Sequence, residues 1–250
     1  MGILGLLIGS FINVCIVRIP EGESIVFPPS RCPRCQKRLS PLDLIPVISY
    51  LLLRGKCRHC GEKISARYPL VEILVSVLFI LVYRKYGLSF SALAYAVLAA
   101  VLVAASFIDL EHMIIPDALN IFLGAAGLLF LLAGQTVSWR QALLGFAAGG
   151  GILLLLGYLS VWILKKEGMG GGDIKLAAVC GLYLGFERIL LTLMMAFYYA
   201  SAIVLLLLLA GRLKKGQYLP FGPFIAAGAI TAALYFNEII SFYMRLFVRT

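Results

Sequence analysis

Long apolar stretches without charge constrain this 250-residue chain more than any other feature of its sequence. Hydrophobic residues make up 62% of it and charged residues only 14%, whereas soluble domains carry roughly 25% charged residues. Eight apolar runs lie along the chain, at about 1–17, 69–83, 91–108, 118–133, 141–164, 174–186, 189–210 and 222–236. Because about 20 apolar residues cross a bilayer as a helix, the sequence predicts an all-α polytopic membrane protein with about eight transmembrane helices. The composition excludes a soluble globule, a disordered chain and a nucleic-acid-binding domain.

The basic residues predict how these helices are oriented. The net charge is +10, and we attribute the excess of Lys and Arg to cytoplasmic loops rather than to nucleic-acid binding. If all eight runs cross with the N-terminus outside, 16 of the 22 Lys and Arg residues fall on one side, which we expect to be cytoplasmic. The run 174–186 is the weak point, because its 13 residues rise only about 20 Å as a helix. The distribution of Lys and Arg residues nevertheless favours a membrane crossing by this run.

The one sizeable polar segment, residues 18–68, contains six prolines and no long helical period. We therefore expect a small irregular cytoplasmic loop domain there. The chain then divides into a first transmembrane helix at 1–17, the loop domain at 18–68, and a transmembrane helical domain at 69–250. In the run 141–164, glycines spaced by four residues predict close helix packing.

Four of the six cysteines form two Cys-x-x-Cys pairs in the loop domain, namely Cys32, Cys35, Cys57 and Cys60. The 21 residues between the pairs lie close to the spacing of four-thiolate zinc sites. Four cysteines complete a tetrahedral shell, which predicts a structural rather than a catalytic zinc ion. Neighbouring Arg and Lys side chains would offset the negative charge and lower the thiol pKa values. A redox pair and coincidence are the alternatives.

Three of the four aspartates adjoin apolar runs, namely Asp109, Asp117 and Asp173. Ionisable residues at membrane depth are costly, so they indicate function. Asp109 ends a run, where the helix dipole disfavours an anion. Asp117 follows a proline and is better explained as a helix cap. Asp173 follows four glycines in residues 168–172, a segment that permits close approach of an extended peptide.

In the expected topology Asp109 and Asp173 lie at the same, cytoplasmic, membrane depth. Two carboxylates that face each other share a proton, so the charged one can deprotonate water and the neutral one can donate to a peptide carbonyl. This reasoning predicts an aspartic protease. Two other functions are compatible with the same residues: a proton-coupled transporter with the two acids as a relay, and a non-enzymatic assembly factor whose zinc loop docks partners.

Several motifs, in order from about residue 9 to 228, resemble the type IV prepilin peptidases, which are membrane aspartic proteases with a Gly-x-Gly-Asp motif. That motif corresponds here to Gly170-Gly171-Gly172-Asp173 with Lys175. Phe107-Ile108-Asp109 and Ile115-Pro116-Asp117 also match. Further similarities lie at Gly9-Ser10-Phe11-Ile12-Asn13-Val14 with Arg18 and Pro20, Asp43-Leu44-Ile45-Pro46, Ser49-Tyr50, Arg54-Gly55-Lys56-Cys57, Arg67-Tyr68-Pro69-Leu70-Val71-Glu72 and Leu219-Pro220-Phe221-Gly222-Pro223.

The resemblance implies that Asp109 and Asp173 are the catalytic pair and that Gly170, Gly172 and Lys175 support it. Members of the family remove the short basic leader of prepilins and pseudopilins, after a glycine, at the cytoplasmic face of the bacterial inner membrane. Bifunctional members then methylate the new N-terminal amine with S-adenosylmethionine, and the four-cysteine loop is typical of them. This chain has Val75-Ser76 where the family often has Thr-Gly. Four acids are expected to attract the leader: Glu72, Glu111, Asp117 and Glu167.

Overall fold

The computed structural model describes residues 1–134, 136–165, 168–212 and 219–247. In these residues the chain forms eight α-helices and one short 3-10 helix, Pro41–Leu44. The α-helices are α1 (Gly2–Arg18), α2 (Ile48–Leu52), α3 (Arg67–Tyr86), α4 (Phe90–His112), α5 (Asp117–Leu132), α6 (Trp139–Leu164), α7 (Gly171–Leu209) and α8 (Gly222–Phe247). Pairing between extended segments in this part of the chain is limited to two isolated bridges in the loop domain.

Four of the described helices are long and apolar enough to cross a membrane: α4, α6, α7 and α8. Two shorter apolar helices, α1 and α5, have 17 and 16 residues, and α3 has 20. The predicted all-α membrane protein with about eight helices is confirmed. The membrane orientation and the crossing of each run stay predictions.

The 39-residue stretch α7 consists of two helical arms that reverse direction at Gly185. Gly185 has φ 75° and ψ 179°, a conformation that glycine adopts readily. A β-carbon added to Gly149 of α6 would lie 2.3 Å from the carbonyl oxygen of Ala177 and 3.1 Å from Cγ1 of Ile189. In a straight helix Ala177 and Ile189 would lie about 18 Å apart, so the chain must reverse its direction between them. The arms, 171–184 and 186–209, correspond to the predicted runs 174–186 and 189–210.

Glycines let the backbones of α6 and α7 touch. A β-carbon on Gly145 would lie 2.4 Å from the carbonyl oxygen of Gly181, and one on Gly181 would lie 2.1 Å from that of Gly145. This contact confirms the close packing predicted from the glycines of the run 141–164. A similar glycine contact joins α1 to α3, where a β-carbon on Gly9 would lie 2.6 Å from the Cα of Glu72.

The core is built around α4, whose residues are mostly buried and which contacts α1, α3, α5 and α8. Its last residue is His112, and Met113 follows in the left-handed conformation. The Met113 N–H donates to the carbonyl oxygen of Asp109, which ends the helix and turns the chain towards α5. Asp109 therefore lies in the last turn of the central helix.

We expect Gly145→Ala to destabilise the protein by about 2 kcal/mol, because the added methyl group overlaps the Gly181 carbonyl and the two helices must separate. Thermal unfolding in detergent, followed by near-ultraviolet circular dichroism, measures the change.

The matched control is Gly151→Ala on the same helix, where the new β-carbon meets open space. Alanine favours the helix there, so stability should stay level or rise by up to about 1 kcal/mol. Equal effects of the two substitutions would show that the contact between α6 and α7 does not limit stability.

Candidate active site and metal site

Asp109 is 5% exposed and is fixed by the first residue of α8. Its Oδ2 accepts a hydrogen bond of 2.9 Å from the backbone N–H of Gly222. A β-carbon on Gly222 would lie 2.8 Å from this oxygen and 3.0 Å from Cδ1 of Ile115. Only glycine therefore lets the N-terminus of α8 approach the carboxylate, and that helix end favours a negative charge.

Asp173 is the third residue of α7, and Gly170 is the N-cap of that helix. Its carboxylate accepts a hydrogen bond from the backbone N–H of Gly170, as the acid of a capping box does. Its Oδ1 is buried and has no hydrogen-bond partner among the described residues. One oxygen is thus left to interact with a molecule that enters the site.

The two aspartates line one cavity of about 210 Å³, and their carboxyl groups interact electrostatically. The remaining lining comes from Met113–Ile115, between α4 and α5, and from Gly170–Gly172 at the start of α7. A polar cavity of this volume is large enough to hold water. The chemistry that this arrangement supports is general acid and base catalysis by a carboxyl pair.

The glycine motif has a steric explanation. A β-carbon on Gly172 would lie 2.9 Å from the Cβ of Ile115, and one on Gly170 would lie 3.0 Å from Oδ2 of Asp173. At Gly171 a β-carbon would meet open space. Gly172 therefore lets α7 lie against the loop before α5, and Gly170 leaves room for the Asp173 carboxylate, whereas the middle glycine is not sterically required.

The other predicted site residues form ion pairs within the chain. Lys175 Nζ lies 2.7 Å from Oδ1 of Asp117, and both side chains are largely exposed. Asp117 is the first residue of α5 and lies in its first turn, where a carboxylate interacts favourably with the helix dipole, and its pair with Lys175 also links α5 to α7. Glu111, two residues after Asp109, pairs with Arg67 at the start of α3.

The remaining two acids expected to attract a leader differ from Glu111 and Asp117. Glu72 is buried in α3 and accepts a 2.7 Å hydrogen bond from the backbone N–H of Val47. Glu167 lies outside the described residues. The roles of all four acids in substrate binding stay predictions.

The contact between Gly222 and Asp109 does not follow from the similarity of residues 219–223 to the family motif. The sequence does contain a signal, because glycine followed by proline, at residues 222–223, opens the last apolar run. Glycine has no helix-forming advantage there, so its presence indicates close approach of another group.

The four predicted metal ligands meet in the loop domain. Their sulfur atoms all lie within 4.8 Å of one another, and the Sγ atoms of Cys32 and Cys60 are 3.8 Å apart. Tetrahedral zinc with bonds of about 2.3 Å separates its sulfur ligands by about 3.8 Å. The cluster of Cys32, Cys35, Cys57 and Cys60 therefore has the dimensions of a four-thiolate metal site.

The two cysteine pairs have the same backbone conformation. Gln36 and Gly61, each four residues after the first cysteine of its pair, have φ values of 57° and 71°. The backbone N–H groups of Cys60 and His59 donate to the sulfur of Cys57 and lower the pKa of its thiol to about 6. These two N–H groups therefore favour the thiolate form of this sulfur, which is the form that binds metal ions.

Side chains tie the metal site to the neighbouring turn. Asp43 accepts hydrogen bonds from the hydroxyl and backbone N–H of Ser40 and from Nε of Arg58. The Ser40 hydroxyl and then Arg58 hold the pKa of the Asp43 carboxyl below its usual value. Arg34 and Glu62 form an ion pair between the two cysteine turns. The loop domain is thus a connected unit.

Comparisons with known proteins identify the family. The profile of the Bacterial Peptidase A24 N-terminal domain matches residues 3–86, and that of the Type IV leader peptidase family matches residues 96–209. No solved structure matches the chain.

Three relatives carry the name prepilin leader peptidase/N-methyltransferase. The protein of Bacillus subtilis (strain 168) is 38% identical over 98% of this chain and 96% of its own length. That of Aeromonas hydrophila is 36% identical over 98% and 93%, and that of Neisseria gonorrhoeae is 39% identical over 88% and 84%. At this identity and coverage, the chain belongs to the type IV leader peptidase family.

Proposed function

We propose that the protein is a membrane aspartic endopeptidase that removes the basic leader of prepilins and pseudopilins and then methylates the new N-terminus. The observation that carries the proposal is that Asp109 and Asp173, from separate helices, line one cavity. The names of relatives at 36–39% identity support both activities. A transporter would place polar residues deep in several spans, whereas these two acids lie at helix ends.

Asp109 acts as the base in this mechanism. The Gly222 N–H and the N-terminus of α8 stabilise its charged form, so it takes a proton from the attacking water. The water oxygen bonds to the scissile carbonyl carbon while Asp173 donates its proton to the carbonyl oxygen. When the tetrahedral intermediate collapses, the C–N bond breaks, Asp109 delivers its proton to the leaving amine, and Asp173 recovers its own.

The proposed substrate fits the position of the carboxyl pair. A prepilin has an apolar helix that stays in the bilayer and a basic leader that stays in the cytoplasm. Its scissile bond therefore lies at the membrane surface, where helix ends carry the pair, and a glycine there permits an extended conformation. We place this site at the cytoplasmic face of the inner membrane. Glu111 and Asp117 would contact the leader by exchanging their pairs with Arg67 and Lys175.

The four-cysteine cluster is proposed to hold a structural zinc ion. Its dimensions support zinc, and four sulfur ligands leave no open position for a substrate.

S-adenosylmethionine would supply the methyl group that the freed amine takes from the sulfonium. We keep the proposed division into a first helix at 1–17, a loop domain at 18–68 and a helical catalytic domain at 69–250.

The central prediction concerns the aspartates. Purified protein mixed with a prepilin and S-adenosylmethionine should yield a product that lacks the leader and carries one additional methyl group, as measured by mass spectrometry. Asp109→Asn and Asp173→Asn should each reduce the cleavage rate at least about 10³-fold, because the pair acts as one unit.

The matched control is Glu187→Gln, a carboxylate-to-amide change at an exposed position of α7. Its cleavage rate should equal that of the unsubstituted protein. Full cleavage by the Asp173→Asn variant would refute the two-aspartate mechanism.

Gly222→Ala should reduce kcat for leader cleavage by roughly 10- to 100-fold and leave KM within a few-fold, because the added methyl group displaces the Asp109 carboxylate. Steady-state kinetics with a prepilin measures both constants. The control Gly151→Ala fills open space and should leave them unchanged. An unaltered kcat in the Gly222→Ala variant would exclude a positioning role for the start of α8.

The metal site is tested by elemental analysis of purified protein. We expect about one zinc ion per chain, a markedly lower content in Cys35→Ala, and an unchanged content in Cys180→Ala, which alters a buried cysteine of α7. Limited proteolysis should cut the loop domain faster in Cys35→Ala. Leader cleavage should persist, because the aspartates belong to other helices. Zinc retained in the Cys35→Ala variant would contradict the assignment.

A further inference from the structure

The loop domain contains an apolar segment that its zinc site does not explain. Residues 44–53, between the two cysteine pairs, include no charged residue. Large apolar side chains of this region are exposed: Leu42 by 68%, Ile48 by 54%, Leu51 by 67% and Leu52 by 78%. A water-facing loop rarely exposes such a group of side chains, so another medium or molecule covers it.

The short helix α2 has two different faces. Ser49 is buried, and its hydroxyl donates a hydrogen bond of 2.6 Å to the carbonyl oxygen of Ile45. Ile48, Leu51 and Leu52 are exposed, at spacings of three and four residues that share one side of a helix. The outward side of α2 is therefore entirely apolar.

A hydrogen bond fixes the depth of this segment relative to the helices. The backbone N–H of Val47 donates to Oε2 of Glu72, at 2.7 Å. Glu72 lies five residues after Arg67, the first residue of α3, which is about 7.5 Å along the helix. It also faces Gly9 of α1, nine residues before that helix ends at Arg18. Val47, in the middle of the segment, therefore lies beside the first turns of α3.

Basic residues flank the segment on both sides. Arg31, Arg34, Lys37 and Arg38 precede it, and Arg54, Lys56, Arg58 and Lys63 follow it. An apolar stretch with basic neighbours matches the boundary between acyl chains and anionic headgroups. This charge pattern favours a lipid surface as the covering medium.

We propose that residues 44–53 form an interfacial segment that inserts into the bilayer surface and anchors the metal site there. Contacts join this part of the loop domain to the second cysteine pair: Asp43, directly before the segment, bonds to Arg58, and Tyr50 lies directly against Gly55, where a β-carbon would be 2.9 Å from the ring. The loop domain is then partly embedded in lipid instead of being wholly cytoplasmic. This inference is independent of the proposed peptidase activity.

The test uses L52W in the full-length protein, with Trp139 and Trp162 replaced by phenylalanine. The protein is reconstituted in vesicles of phosphatidylcholine and phosphatidylglycerol. Part of the phosphatidylcholine carries bromine on its acyl chains and quenches nearby tryptophan fluorescence. We expect strong quenching by the brominated lipid and weak quenching by aqueous iodide. Leu51→Trp, in the same background, should give the same result.

Two matched variants calibrate the measurement. Ile121→Trp lies on an exposed side of α5, four residues from its start, and sets the signal of a lipid-facing position. His59→Trp lies at an exposed position of the second cysteine pair and should be quenched mainly by iodide. The proposal is overturned if L52W and L51W behave like H59W. It is equally overturned if neither quencher reaches them, since a protein surface, such as a second copy or a substrate helix, would then cover the segment.

Discussion

The hydrogen bond from the Gly222 N–H to Asp109 stabilises a carboxylate that would otherwise be unfavourable at its place in this fold. Asp109 lies in the last turn of a buried apolar helix, where that helix's own dipole disfavours its charge. The N-terminus of α8 supplies the missing positive potential, and glycine is needed because a β-carbon would collide with the carboxylate. Asp173 is supported differently, by the first turn of its own helix. The two carboxyl groups thus have unequal surroundings, which allows one to act as base and the other as acid.

The reversal of α7 at Gly185 lets the start of α8 reach the end of α4. The arm 171–184 leads away from Asp109, and its far end is marked by the bond from the Tyr95 hydroxyl to the Tyr183 carbonyl. The arm 186–209 returns, and its Phe197 ring packs 5.1 Å from that of Phe221, directly before Gly222. Without the reversal, the chain would reach α8 at the opposite end of the bundle. Glycine contacts between α6 and both arms hold the hairpin closed.

The sequence predicts those features of this protein that depend only on the order of residues along the chain. The order of the apolar runs predicts one depth for Asp109 and Asp173, which line one cavity in the structure, and paired cysteines at a fixed spacing indicate a metal site. Both inferences need only position along the chain. Sequence reasoning fails where lateral neighbours matter. Which helix end faces Asp109, and whether Asp117 pairs with Lys175, depend on packing between helices distant in sequence. The apolar residues 44–53 do not indicate a membrane contact by their length, because they are too few to span a membrane.

The loop domain and the carboxyl pair are connected through the start of α3. Arg67 follows the loop directly, stacks over the ring of Tyr68 at 5.1 Å and pairs with Glu111, two residues beyond Asp109. Partly exposed ion pairs contribute only about 0–1 kcal/mol, so this contact orients the two parts without locking them.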